Sequence, residues 1–290
     1  MKLATRFNLI LIVVLAIGLT ITAYFSWQIL QTNARNEIRD RASIMMEAAL
    51  SMRSYTVNEV RPLLKLQNKR KFLPQTVPAY AATQSFETIR KRFPEYSYKE
   101  ATLNPTNPRN RAVSWETDIV NEFRKNKDKK EIFGERSTPN GPSLYFARPI
   151  TITKGACLSC HSTIEAAPKS MVELYGPANG FGWKLNETVG AQIISVPMTV
   201  PIKHAREAFN IFMITLGAVF LALIIVLNIL LRIIVAEPVR RMSKIADDIS
   251  LGNMDAAEFD VKGGDEISKL GASFNRMRRS LEQAMKMLED

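Results

Sequence analysis

The chain's only two cysteines stand two residues apart, in Lys154-Gly155-Ala156-Cys157-Leu158-Ser159-Cys160-His161-Ser162, and one of its two histidines follows directly. That spacing is the attachment signature of a c-type haem. Each thiol adds to one vinyl group of the porphyrin, and the residue after the second cysteine reaches the iron. The pattern therefore assigns thioether bonds to Cys157 and Cys160, and the proximal axial position to His161, with one covalent haem c as the expected cofactor. Other chemistries fit less well. Structural zinc needs four protein ligands, and His204 is the only further Cys or His. A thioredoxin-like pair belongs at the start of a helix within a βαβ pattern, which the sequence does not display. A simple disulfide would leave the adjacent histidine to chance. With both thiols consumed, the sixth ligand is open: His204, Met171, Met198, Met52 and Tyr55 are candidates. An open or water-filled position is an equal alternative, and it would favour gas binding over electron transfer.

The elements around this motif begin with two apolar spans, 7–30 and 209–232, the first uncharged throughout and the second uncharged from Ile211 to Leu231. Each exceeds the roughly 20 residues that span a bilayer as a helix. The first is longer than the apolar region of a signal peptide and lacks a clear cleavage site, so an uncleaved anchor is expected. Lys2 and Arg6 precede the first block; Arg232, Arg240, Arg241 and Lys244 follow the second. Cationic flanks stay in the cytoplasm, so both termini are expected there, with residues 31–208 on the periplasmic side of a bacterial inner membrane. Covalent haem attachment takes place on that same side. The net charge of +11 does not signal nucleic acid, because basic residues alternate with acidic ones, as in Lys127-Asp128-Lys129-Lys130-Glu131. Cations beside the spans are expected to meet lipid headgroups.

Within 31–208, Ile38, Ala42, Met45, Ala49, Met52, Thr56 and Val60 recur at helical steps, predicting a long helix that continues from the first span and ends at Pro62. A helix over 79–92 and a strand over 96–102 follow. Asn104-Pro105-Thr106-Asn107-Pro108-Arg109-Asn110 is turn chemistry. Ser114 is expected to cap a helix over 115–125. Strands are expected over 131–135, 144–152 and 189–196, with the haem motif and a glycine-rich loop (Gly176, Gly180, Gly182) between the last two. That order predicts an α+β domain with an antiparallel sheet, PAS-like in kind.

The Asn-Pro run with Arg111-Ala112, then Trp115-Glu116, Arg148-Pro149-Ile150 and the Cys157–His161 motif, resembles a family of bacterial c-haem PAS-like sensor domains. Its members often sit between two membrane spans ahead of a HAMP linker. The resemblance covers about 35–200 and implies one covalent haem in a PAS-like pocket and a sensing role. It supplies no sixth ligand.

After the second span, Val239, Met242, Ala246 and Ile249 form one amphipathic series. Gly252-Asn253 and Gly263-Gly264 punctuate, and Asp265-Glu266 opens a heptad series, Ile267, Leu270, Phe274, Met277, Leu281, Ala284 and Leu288. This resembles a HAMP domain over 233–288, and the resemblance implies a helical bundle shared by two chains, hence a homodimer. The Gly263–Glu266 run looks like a diguanylate cyclase motif, but Ile267 departs from it and some two dozen residues remain. No histidine follows His204 to accept a phosphoryl group. No enzyme and no catalytic residues are expected. Two readings remain: a dimeric membrane sensor that relays a haem signal through HAMP to a separate cytoplasmic partner, or a membrane-anchored monohaem cytochrome for electron transfer, within a larger complex.

Overall fold

A computed structural model describes residues 3–253, 258–260 and 263–289. Lys2, invoked above for orientation, lies outside them. The chain divides into two compact units, Gln28–Ala208 and a second made of Met1–Trp27 with Phe209–Asp290.

The Gln28–Ala208 unit is built on a four-stranded, wholly antiparallel sheet of order β1-β4-β3-β2. Its strands are β1 (Ser97–Thr102), β2 (Ile132–Thr138), β3 (Gly141–Thr151) and β4 (Thr188–Pro197). Side chains alternate between faces along a strand, so each row across the sheet belongs to one side. On one face Tyr98, Ile194, Val196, Leu144 and Phe146 meet α1 (Leu3–Tyr55) through Ile38, Ala42, Met46 and Ala49, all fully buried. The helical stripe predicted for α1 is thus its sheet-facing side. Helix α4 (Pro78–Arg90) adds Ala82 and Phe86 to the same core. On the other face α5 (Ser114–Lys125) lays Ile119, Val120 and Phe123 over Ala101, Ala147, Ala191 and Ile193.

One local expectation holds and one is corrected. The long helix runs unbroken to Leu63, one residue past the Pro62 at which it was expected to end. It is made of α1, then a π-helical turn, Thr56–Val60, then α2 (Arg61–Leu63), which carries the proline. Helix α3 (Lys65–Arg70) continues beyond. Ser114 is not a cap but the first helical residue of α5. The cap is reversed, because the Glu116 carboxylate accepts from the Val113 N–H at 2.9 Å.

A buried polar group fastens α1 to the sheet. Arg53 donates to both Glu100 oxygens, at 2.5 and 2.6 Å. Tyr98 donates to Glu100 at 2.7 Å, and Gln192 donates to the Tyr98 oxygen at 3.2 Å. Burial, and next the Glu100 charge, push the Tyr98 phenol well above its ordinary range, so it remains a donor. Satisfying every partner is what makes a buried charge tolerable here.

In the other unit, two helices are long and apolar enough to cross a membrane, the first part of α1 and α8 (Thr199–Leu230). They fit a protein with two spans. Asn8 and Asn228 join them by reciprocal amide bonds of 2.7 and 2.8 Å, and Trp27 meets Phe209 edge to face at 5.3 Å. A π-helical stretch, Leu231–Ala236, leads from α8 into α9 (Glu237–Ser250), and α10 (Glu266–Glu289) follows. Buried on α9 are Met242 and Ile249; on α10, among the described residues, the buried positions are Ser268, Gly271 and Asn275. Of the predicted heptad positions, Leu270, Met277 and Leu281 are exposed within one chain.

Candidate haem site

The Cys-x-x-Cys-His motif is not the loop that its position between strands suggested. It forms a short helix of its own, α6 (Gly155–His161). Three residues, most of one 3.6-residue turn, separate Cys157 from Cys160, so the two half-buried free thiols and the His161 ring project from one short element. Ser162 ties the end of α6 to the Leu158 carbonyl at 2.5 Å.

The histidine is held from outside its helix. Its Nδ1 lies 2.7 Å from the Gly180 carbonyl oxygen, which only accepts, so Nδ1 carries the proton. The Thr106 hydroxyl stands 3.4 Å from the same nitrogen. Nε2 is therefore the nitrogen with a free lone pair, the tautomer a metal requires. Burial lowers the His161 pKa from its usual value and so favours the neutral ring, outweighing the Gly180 bond, which acts in the other direction. Trp183 stacks on the imidazole at 4.0 Å and 14°. Chain pairing fixes that stack: Trp183 N–H donates to the His161 carbonyl at 3.1 Å, and Gly182 N–H to Ser162 at 2.8 Å.

Behind Gly180 stands the Asn-Pro run. Asn104 accepts from the Gly180 N–H and donates to the Phe181 carbonyl, both at 3.1 Å, holding the loop by one amide. Gly180 has φ +89°, and a side chain there would stand 2.8 Å from the Thr106 backbone. Only glycine meets both demands. The turn after β1 thus orients the imidazole.

The sixth-ligand candidates are dispersed. Met171, on α7 (Lys169–Tyr175), is buried with Phe72 and Ala167 in the cluster that Cys160 joins. Met198 is buried in the α1–sheet core, with Met52 packed against it. Tyr55 is exposed, as is His204 on α8. Sequence reasoning missed Trp183 and the purpose of Asn104. The stretch Gly180-Phe181-Gly182-Trp183 was the available signal, since glycines beside an aromatic mark chain that must pass close to something.

The comparisons follow this division of the chain. Residues 230–283 match the HAMP domain model. A stretch of 93 residues is 33% identical to the sensor histidine kinase MtrB of Mycolicibacterium paratuberculosis (strain ATCC BAA-968 / K-10), covering 31% of this chain but 16% of that protein's length. A crystal structure of the cyanobacterial haem protein Tll0287 superposes with a TM-score of 0.43 at 17% identity, over 56% of this chain and 95% of that one. Residues 31–197, more than half of the chain, match the Tll0287-like model, and the chain belongs to the Tll0287-like family.

Proposed function

We propose that this protein is a dimeric membrane sensor with one covalent c-type haem. Cys157 and Cys160 form the thioethers, and His161 binds the iron through Nε2. A change of redox state or a small ligand at the haem is relayed through HAMP to a separate cytoplasmic partner. The haem domain lies in the periplasm, with both termini in the cytoplasm. The observation that carries the reading is the His161 arrangement: Nδ1–H is committed to Gly180, and the free nitrogen sits on the helix that bears both thiols. Outer hydrogen bonds of that kind fix a ligand's tautomer and raise its basicity. Membership of the Tll0287-like family and a HAMP match beyond α8 support the sensing reading over simple electron carriage.

When bound, the haem supplies an iron whose charge and ligation vary with redox state or added ligand. The chain's own residues do the rest. Gly180, Asn104 and Thr106 hold the imidazole, Trp183 shields one face of it, and β1 leads from that clamp back to Glu100. There Arg53 of α1 accepts any displacement, three residues before the π-helical turn. Heptad positions Leu270, Met277 and Leu281 of α10 provide an apolar seam for a second chain.

The test is expression with a c-type maturation system, followed by denaturing haem staining and absorption spectra with and without CO or NO. A covalent haem whose ligation responds to redox state or gas is expected. A haem inert to gases, in a protein whose HAMP cross-linking pattern ignores redox state, would favour an electron carrier. Absence of covalent haem would sink the site.

A further inference from the structure

Helix α5 covers only part of its sheet face. Ile119, Val120 and Phe123 lie over the alanine rows, and of the next row, Ser97–Ser195–Tyr145–Gly134, the helix meets Tyr145 through Trp115, at 5.6 Å between ring centroids. A cavity of about 420 Å³ opens there, bounded by α4, β1, the 3₁₀ turn Pro108–Asn110, the start of α5 and Arg136 of β2. Its floor includes Ile193 and the Ser97 and Ser195 hydroxyls, which have no partner among the described residues.

Charge decides what fits. The lining carries Arg90, Lys99, Arg109 and Arg136 against Glu87 and Glu116. Both carboxylates are already engaged: Glu116 with Lys99 at 2.6 Å and with the Val113 N–H, Glu87 with Arg90 at 3.1 Å. Arg109 and Arg136 have no carboxylate partner among the described residues. Each is instead held against an aromatic ring, Arg136 4.2 Å from the Trp115 centroid and Arg109 5.6 Å from that of Tyr80. Stacking of that kind presents a guanidinium's planar edge, with its paired N–H donors, in a fixed direction. Two oriented, unpaired guanidiniums, two free hydroxyls and an apolar floor form an oxyanion site with room for a carbon skeleton.

We propose that this cleft binds a short-chain dicarboxylate, one carboxylate at each free arginine, with the carbon chain over Ile193. The assignment does not depend on the haem. It is tested by titration calorimetry of the full-length haem-loaded protein in detergent, with succinate, propionate and inorganic phosphate as probes. Succinate is expected to bind saturably, and Arg136→Gln and Arg109→Gln are each expected to weaken it at least tenfold, the equivalent of one charge-assisted hydrogen bond. Both variants should keep the parent haem spectrum, which reports that the domain has folded. No heat with succinate would overturn the proposal. So would equal binding of phosphate, or affinity unchanged in both variants.

Discussion

Two asparagines in different units perform the same local task with different consequences. Asn104 holds the Gly180 N–H and the Phe181 carbonyl. Asn275, on α10, accepts from the Phe259 N–H at 3.0 Å and donates to the Phe259 carbonyl at 2.8 Å. Each clamp has a glycine that makes room: Gly180 against the Thr106 backbone, Gly271 against the Phe259 ring. An irregular chain cannot satisfy its own amides, so a side-chain amide, donor and acceptor at once, does it instead. The difference lies in what remains over. The Asn104 clamp ends on a histidine with one nitrogen spare, whereas the Asn275 clamp ends on an apolar ring with nothing left to bind. A well-held loop is therefore not itself a site; the uncommitted atom it displays is.

The strongest way to break this contrast is to remove what the first clamp serves. Cys157→Ala together with Cys160→Ala is expected to abolish covalent haem entirely by denaturing haem stain, leaving α8 to α10 folded by circular dichroism. Next come the glycines. Gly180→Ala forces an alanine to φ +89° and into backbone, so left-handed strain of about 1–2 kcal/mol adds to overlap that Thr106 cannot relieve. Gly271→Ala meets only a ring that can swing aside, at about 1–3 kcal/mol. Denaturant unfolding should show Gly180→Ala as the larger loss, and equal losses would erase the distinction. Asn104→Ala and Asn275→Ala each forfeit two hydrogen bonds, about 1–3 kcal/mol of stability. Only Asn104→Ala should shift the haem absorption bands.

The smallest effect is expected at Asp265, which caps α10 by accepting from the Ser268 N–H at 2.7 Å. Hydrogen bonding to Ser268 holds its carboxyl below the ordinary range. A group held low stabilises the fold above its ordinary pKa, and that contribution disappears as pH falls through the held value. The protection of the Ser268 amide, its exchange rate compared with the intrinsic rate at the same pH, should therefore fall on acidification in the parent protein, and Asp265→Asn should flatten that dependence.

Much of the frame was legible because it rests on periodicity. The Ile38–Ala42–Ala49 stripe and the apolar blocks encode their faces directly, and all four strands appear near their expected places. The haem motif could be read because covalent chemistry demands fixed spacing. Its immediate setting could not. That α6 is a helix, that Asn104 reaches Gly180 some seventy-six residues away, and that Trp183 covers the imidazole are products of long-range pairing. Local pattern carries no trace of such contacts. Pro62 marked the end of the long helix to within one residue, at Leu63, but nothing in the local pattern marks Thr56–Val60 as a π-helical turn.

The Asn8–Asn228 pair limits how a message could cross the bilayer. In hydrocarbon, an amide that loses its partner finds no water to replace it. A slide of α8 along α1 by one turn, about 5.4 Å, would break both reciprocal bonds and leave Asn228 only its bond to the Ile224 carbonyl of its own helix, at 2.9 Å. Tilting about the pair would keep both bonds and swing the far ends of the helices, so the two amides act as a fulcrum and piston travel is the costly motion. Replacing both with leucine should free that travel, visible as altered cysteine cross-linking between the helices, and unchanged cross-linking would dismiss the fulcrum.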